Sequence, residues 1–287
     1  MAYSWASASR ASRVAAERAR RDSNPTRQVW APPVGQGGRT DTATLRDDAS
    51  PGDQESQMAN DDTWVIIPVY NEVTVIAQVV ADLHTTFRNI VCVDDGSTDG
   101  SAAQIATTAA HLVRHPINLG QGAALQTGLC YALARPGGRF FVTFDADGQH
   151  RVADAGRMVD AARSGFADVV LGSRFLDQHE GRPHRVPLLK RITLGLVVAL
   201  SPVARKMHLT DAHNGLRVFN RAVAGQLRIR MNGMAHASEL VSLLARSSWT
   251  VRELPVTIRY TEYSTSKGQP LINGINILFD LAVRDQR

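Results

Sequence analysis

The chain has no long apolar run and very little cysteine. No segment reaches the roughly 18 to 20 consecutive apolar residues that a helix needs to cross a bilayer. The amino terminus also lacks the apolar core of a secretory signal. Cys92 and Cys130 are the only cysteines in 287 residues, which excludes a disulfide framework and favours buried, reduced thiols. We therefore expect a cytoplasmic protein that is soluble or peripheral to a membrane face.

The charge balance is basic without the pattern of a nucleic-acid binder. The formal net charge is +5 and the pI is about 9.6. Basic residues are spread over many segments rather than collected in one stripe with aromatic residues. We therefore predict an anionic substrate or a membrane surface as partner, and no nucleic acid. The sequence does not predict the oligomeric state.

Composition divides the chain into three parts. Residues 1–60 are rich in Arg, Asp, Ser, Gln, Gly and Pro and have almost no periodic apolar residues, so they are predicted to be a disordered extension. Met58 could then be an alternative start. Residues 61–270 are predicted to form the single main domain, because 44% apolar content supports a real core. Residues 271–287 are predicted to contain an amphipathic helix.

From residue 64 onward, short apolar runs alternate with amphipathic segments. This alternation predicts an α/β fold with a mostly parallel, Rossmann-like sheet sandwiched by helices. The predicted strands are 64–69, 89–93, 112–115, 140–144, 168–172 and 250–259. The predicted helices are 74–87, 100–110, one opening at Gly120, 188–203, 235–246 and 271–283.

Two of these helices allow two interpretations. Residues 188–203 are strongly apolar and bracketed by basic residues, which fits either a buried helix or one lying in a membrane interface. Residues 271–283 form an amphipathic pattern that either docks on the core or rests on lipid.

Polar loops follow three of the predicted strands. These loops contain residues 70–72 (YNE), 94–100 (DDGSTDG) and 145–150 (DADGQH). The carboxyl ends of parallel strands meet at one edge of a sheet, and ligands bind at that edge. Asp145 and Asp147, two apart, can converge on one hard divalent ion whose other ligands would be phosphate oxygens and water. Taken singly, each loop could also be a simple turn or helix cap.

In this order, these three motifs resemble the inverting family 2 glycosyltransferases, and most closely the dolichol- or polyprenol-phosphate mannose and glucose synthases. The resemblance covers about residues 64–267. It implies a GT-A fold, a nucleoside-diphosphate sugar donor and Mg²⁺ or Mn²⁺. It further implies metal-dependent, inverting transfer to an acceptor, with a polyprenyl phosphate as the expected acceptor, in cell-envelope or surface polysaccharide synthesis.

The resemblance also implies roles for individual residues. The nucleoside pocket would be lined by the first motif, with Asp95 contacting the base or ribose and Asp94 steadying its loop. Asp147 would be the metal ligand, and Asp145 would share metal and sugar contacts. His150 fits either a further metal or phosphate contact or a solvated loop residue. The remaining donor-binding residues implied are Pro68, Tyr70, Asn71, Glu72, Ala146 and Gln149.

Cations and one further carboxylate complete the expected site. Arg174, Arg217 and Lys267 are expected to bind donor or acceptor phosphates, although any one of them could be an ordinary surface charge. The glycines at 120 and 122 could bring backbone N–H groups to phosphate or serve close helix packing. Asp211 is the candidate general base, and an equally good interpretation is an Asp that caps a turn.

Three alternatives to this function stay open at the sequence level. An acceptor sugar hydroxyl would need a carboxylate base, whereas a lipid phosphate is already an anion near neutral pH. A sugar-1-phosphate nucleotidyltransferase would carry a Gly-rich basic loop after its first strand, which residues 68–72 (PVYNE) do not resemble. A non-catalytic nucleotide-sugar-binding protein is disfavoured by the presence of both aspartates.

Overall fold

A computed structural model describes residues 60–176, 207–233 and 235–259. These residues form a seven-stranded sheet with helices on both of its faces. The strands are β1 Thr63–Val69, β2 Asn89–Asp94, β3 His111–Arg114, β4 Phe140–Thr143, β5 Val169–Ser173, β6 Arg217–Asn220 and β7 Val251–Pro255. The helices are α1 Ile76–His84, α2 Ser101–Ala106, α3 Gln121–Leu133, α4 Val152–Arg163, α5 Arg221–Gln226 and α6 His236–Ala245.

The strand order is β3-β2-β1-β4-β6-β5-β7. Pairing is parallel from β3 through β4 and between β5 and β7, whereas β6 runs antiparallel to both of its neighbours. Arg217, the first residue of β6, pairs with Thr143 at the end of β4. The amino end of β6 therefore lies at the edge where the parallel strands end. The predicted α/β class and mostly parallel sheet are confirmed.

The core lies on both faces of the sheet because alternate residues of each strand point to opposite faces. On one face, Val65 and Ile67 of β1 pack into a cluster with apolar residues of α1 and α4. On the other face, Trp64 and Ile66 pack into a cluster with residues of α3 and α6. Each fully buried aliphatic or aromatic side chain of this kind stabilises the fold by about 1.5 to 3 kcal/mol.

Several element boundaries differ from those that the sequence predicts. The helix predicted over 100–110 begins one residue later, after a left-handed Gly100, and ends at Ala106. The late strand ends at Pro255. Helices α4 and α5 and strand β6 were not predicted. The predicted helices 188–203 and 271–283, Lys267 and nearly all of the predicted disordered extension lie outside the described residues. Within the described ranges, no helix has the length and apolar content for crossing a membrane.

Candidate active site

The three polar motifs meet at the carboxyl edge of the sheet. Residues 70–72 follow β1, residues 95–100 follow β2 and residues 145–150 follow β4. Since β1 pairs with both β2 and β4, the first loop lies between the other two. Arg217 reaches the same edge because β6 begins there. The geometry therefore assembles the predicted site from segments up to about 150 residues apart in sequence.

The loops after β1 and β2 are joined by hydrogen bonds. The Asn71 N–H donates to Ser97 Oγ over 3.0 Å, and the Thr98 N–H donates to Asn71 Oδ1 over 2.9 Å. The Glu72 N–H donates to Ser101 Oγ over 2.8 Å. These bonds hold Asn71 in a left-handed conformation, with φ of 55°. The two loops therefore form one firmly connected wall of the site.

Two residues of the predicted nucleoside pocket differ in exposure. Tyr70, on this wall, is 47% exposed, so its ring is available for stacking. Pro68 is buried inside β1, one residue before the strand ends.

The two aspartates that open the second motif face the protein interior. Asp94 accepts a hydrogen bond from the Ser97 N–H over 3.2 Å and pairs with Arg114 Nε over 3.1 Å. This arrangement agrees with the role of steadying the loop. Asp95 accepts bonds from the N–H groups of Leu119 and Gly120 and lies 2.6 Å from the ring of a buried histidine, His115.

The predicted contact of Asp95 with base or ribose does not fit this geometry. Its side chain is only 3% exposed, and protein donors occupy both of its oxygens. Asp95 instead holds the backbone that leads into α3. Arg114 was not predicted, although the end of β3 lies at the same edge, and this position was the available signal.

Asp145 is held on several sides. Gln121 Nε2 donates to Asp145 Oδ1 over 3.2 Å, and His150 Nε2 lies 3.0 Å from Asp145 Oδ2. Gly215 lies so close that a Cβ at that position would overlap the carboxylate. Burial alone would raise the pKa of Asp145, but the hydrogen bond and charge of His150 and then the charge of Arg217 hold it below its usual value. Asp145 is therefore an ionised and firmly oriented carboxylate.

Asp147 has the opposite environment. Its printed hydrogen-bond partner is the Gln149 N–H, at 3.0 Å from Oδ1. Burial, then the charge of Asp145 and, less strongly, that of Glu72 raise the pKa of Asp147. Ala146, between the two aspartates, is buried. The negative charge at Asp147 is thus poorly neutralised by the protein.

This donor set fits a divalent cation that takes part of its coordination from a substrate. No ready-made group of three His, Cys, Asp or Glu ligands occurs within the described ranges. Mg²⁺ is commonly bound by one or two carboxylates, with water and substrate phosphates completing the shell. Asp147, with Asp145 beside it, matches that arrangement.

Arg217 is a buried cation between two carboxylates. It is 3% exposed, and Asp145 and Asp211 both lie close enough to favour its charged form. Burial lowers the pKa of Arg217 more than these carboxylates raise it. Its side chain donates no hydrogen bond to any other described residue, as judged from the bonds that these residues make. Its five N–H donors are therefore available to an anion at the sheet edge.

Asp211 and Arg174 are paired with each other. Arg174 Nε donates to Asp211 Oδ2 over 2.6 Å, and the second guanidinium nitrogen donates to Oδ1 over 2.7 Å. Burial would raise the pKa of Asp211, but its bonds with Arg174 lower it instead. A carboxylate stabilised in this way is a weak base. The predicted roles, Asp211 as a base and Arg174 as a phosphate ligand, are therefore replaced in this geometry by an ion pair.

The same pair closes the base of the excursion between β5 and β6. Ser173 Oγ lies 2.6 Å from Thr210 Oγ1. Glu253 of β7 accepts bonds from the N–H groups of Thr210 and Asp211. The chain therefore leaves the described region after residue 176 and returns at 207 between two stems that are tied together.

Sequence reasoning did not assign Gln121, His213 or His236 to the site. Burial, followed by the charge of Arg217, lowers the pKa of both histidines to about 4, so both are neutral near pH 7. A Cβ at position 120 or 122 would overlap backbone atoms of residues 231–232, which favours the close-packing interpretation of the two glycines. The glycines flank Gln121, and this was the only sequence signal for its position.

The fold and the site together define an α/β enzyme domain with an acidic, ligand-binding sheet edge. The family model for glycosyl transferase family 2 matches residues 64–228. The chain belongs to this family and is a glycosyltransferase. The family that the motifs indicated is thus confirmed.

Curated relatives cover most of the chain. An uncharacterized protein of Methanocaldococcus jannaschii is 32% identical over 80% of this chain and 95% of its own length. The UDP-N-acetylglucosamine–dolichyl-phosphate N-acetylglucosaminyltransferase of Methanococcus voltae is 29% identical over 78% of this chain and 96% of its own length. The polyprenol monophosphomannose synthase of Mycolicibacterium smegmatis is 28% identical over 75% and 82%.

Solved structures confirm the GT-A fold. Glucosyl-3-phosphoglycerate synthase from Mycobacterium tuberculosis, solved with Mn²⁺, UDP and glucosyl-3-phosphoglycerate, has a TM-score of 0.60 at 18% identity. The match covers 85% of this chain and 87% of that one. Mannosyl-3-phosphoglycerate synthase from Rubrobacter xylanophilus has a TM-score of 0.59 at 14% identity, covering 82% and 78%.

Proposed function

We propose that this protein is a metal-dependent, inverting glycosyltransferase that moves a sugar from a nucleoside-diphosphate sugar to a polyprenyl phosphate. The expected setting is cell-envelope or surface polysaccharide synthesis at the cytoplasmic face of a membrane. The observation that carries the proposal is the carboxylate pair after β4, where Asp145 is ionised and held while the charge on Asp147 lacks a partner. A metal-bound diphosphate supplies the missing positive charge.

Mg²⁺ or Mn²⁺ would be held by Asp147, with Asp145 sharing the contact, and would neutralise charge on the departing diphosphate. Tyr70 would stack on the base, and Glu72 would accept from the nucleoside. The connected loops after β1 and β2 would fix this half of the donor without rearrangement. Glucosyl-3-phosphoglycerate synthase, solved with UDP-glucose and Mn²⁺, supports a donor of this class.

The state of Asp211 supports a phosphate acceptor. A sugar hydroxyl must lose a proton during transfer and needs a base, whereas a polyprenyl phosphate is already an anion. The geometry offers a weak base at Asp211 and a buried cation at Arg217. That combination suits attraction of an anion better than removal of a proton. The printed names of the Methanococcus voltae and Mycolicibacterium smegmatis relatives, with dolichyl phosphate and polyprenol monophosphate sugars, point the same way.

The decisive experiment supplies a panel of UDP-, GDP- and dTDP-sugars with Mn²⁺, with Mg²⁺ or with EDTA. Release of nucleoside diphosphate is measured with a short-chain polyprenyl phosphate, with a free sugar or with no acceptor. We expect release from one donor, stimulated by the lipid phosphate and abolished by EDTA. Stimulation by the sugar alone would overturn the acceptor, and full activity in EDTA would overturn the metal.

The proposed membrane location has its own test. Co-sedimentation with vesicles containing anionic lipid is expected, and it should weaken as salt is raised because the net charge is positive. No sedimentation at low salt would contradict a peripheral enzyme. The full 287-residue chain is needed, since the predicted interfacial helices lie outside the described residues.

A further inference from the structure

We propose that His150 is a positioning residue that fixes the orientation of Asp145 and neither binds the metal nor lies free in solvent. The inference rests on the proposed function, since it assigns Asp145 a role in donor binding. His150 has a side chain only 4% exposed, whereas that of Asp145 is 31% exposed. The histidine therefore lies behind the carboxylate, on the protein side of the site.

Both ring nitrogens of His150 argue for this role. Nε2 lies 3.0 Å from Asp145 Oδ2 and donates to it. Nδ1 is buried and has no hydrogen-bond partner among the described residues. A metal or phosphate ligand would need a ring nitrogen facing the open edge of the site. Neither nitrogen is available, because one is occupied by Asp145 and the other is enclosed.

The ring and backbone of His150 are fixed by other elements. Its ring packs edge-on against Phe144, with centroids 5.4 Å apart. Its backbone forms an antiparallel bridge with Ile258, and the Arg259 N–H donates to the Gln149 carbonyl over 2.8 Å. The position of Nε2 thus depends on both β4 and the segment that follows β7. His150 carries that position to Asp145.

Gln121 orients the other oxygen of Asp145. It donates to Oδ1 while His150 donates to Oδ2, so the carboxylate plane is set from two sides. Asp147 has no comparable pair of side-chain donors among the described residues. The two aspartates therefore differ in function: one is fixed for orientation and the other is free to follow the cation.

The test compares two substitutions that differ in reach. In His150→Gln, the Gln Nε2 occupies nearly the place of the imidazole Nε2 and can still donate to Asp145. In His150→Asn, the amide is too short for that bond. Residues that orient a metal ligand typically contribute about 10- to 100-fold in affinity or activity. We expect kcat to fall by about that factor in His150→Asn and to be largely restored in His150→Gln.

Two further measurements separate positioning from packing. UDP binding in the presence of Mn²⁺, followed by calorimetry, should weaken about tenfold in His150→Asn and recover in His150→Gln. The melting temperature should fall similarly in both variants. The matched control is His84→Gln, on α1 and outside the site, whose Nε2 is also buried without a partner. It should leave UDP binding unchanged.

Equal losses in both His150 variants would show a packing role and overturn the proposal. Wild-type affinity and kcat in His150→Asn would overturn it as well. If the wild-type protein released no nucleoside diphosphate from any donor, the proposed function would fail. The calorimetric comparison would still decide the role of His150, because it needs no turnover.

Discussion

The two halves of the site differ in how their polar groups are satisfied. On the nucleoside side, the loops after β1 and β2 bond to each other, and Asp94 and Asp95 are matched by protein donors. On the transfer side, the ends of β4 and β6 gather Asp145, Asp147 and Arg217, whose pKa values are all displaced. One half is complete without a ligand, and the other stores charge that a ligand would balance.

This difference has a physical basis. A binding wall gains affinity by being rigid before the ligand arrives, since less conformational entropy is lost on binding. A transfer centre gains rate from groups that interact most strongly with the charge of the transition state. Such groups cannot be fully satisfied by the protein alone. Substitutions on the two sides should accordingly change different quantities.

The largest effect is expected from Asp147→Asn. Loss of the metal-facing carboxylate should lower kcat/KM about 1000-fold, since metal stabilisation of the leaving group is worth several kcal/mol. The metal-free protein should melt at a higher temperature at pH 7, because the raised pKa of Asp147 means that its ionised form disfavours the fold. Kinetics with Mn²⁺ and thermal melting in EDTA check both expectations.

Asp160→Asn is the matched control for that substitution. Asp160 is on α4, its side chain is 54% exposed and burial raises its pKa too. It lies outside the site, so activity should be unchanged. A similar loss of activity in both variants would contradict a special role for Asp147.

A smaller effect is expected from Gly215→Ala. The new methyl group would overlap the Asp145 carboxylate and force it to move. A displacement of about 1 Å near reacting groups can cost about 100-fold in rate. Gly225→Ala is the control, because a Cβ at this α5 position meets no atom within 4 Å. Steady-state kinetics should show the loss in the first variant alone, and equal kinetics in the two would contradict the close approach.

The transfer half should also make stability depend on pH. His213 and His236 have pKa values of about 4 in the fold and near 6.5 when unfolded. The unfolded chain binds more protons between these values, so their contribution to stability is present above pH 6.5 and lost as pH falls toward 4. Urea titrations from pH 7 to 4 should show a shallower decline in the double variant His213→Gln/His236→Gln. A decline as steep as that of wild type would contradict the neutral histidines.

The smallest effect is expected on the nucleoside side. Ser97→Ala removes the acceptor of the Asn71 N–H and should cost about 1 kcal/mol of stability. We expect KM for the donor to rise a few-fold with kcat unchanged, because the wall loosens while the transfer centre is intact. Ser164→Ala removes a comparable hydrogen bond at the end of α4 and should leave KM alone. A fall in kcat without a change in KM would reverse the comparison.

Much of the fold follows from local patterns, because strands and helices with one buried side have strong periodicity. The apolar run before Asp145 and the helical spacing in α1 indicate their elements directly. The reversed direction of β6 is not local, since Arg217 to Asn220 is a short segment whose pairing depends on strands far away in sequence. Its direction decides that Arg217 reaches the site.

The site was predictable to a similar extent. The meeting of the three motifs follows from the parallel sheet, and so does the position of the aspartate pair. The role of Asp95 was not predictable, because only the folded backbone brings Leu119 and Gly120 to its oxygens. The pairing of Arg174 with Asp211, 37 residues apart, is likewise a tertiary event. Residue type alone does not tell a phosphate ligand from half of an ion pair.

The tied stems at Ser173–Thr210 and Arg174–Asp211 make the segment 177–206 exchangeable. A replacement of different length would be anchored by the same four residues, and no strand pairing would have to change. Variation there can therefore accumulate without loss of the fold, while the donor side stays constant. The architecture separates the part of the gene free to diversify from the part that must be inherited intact.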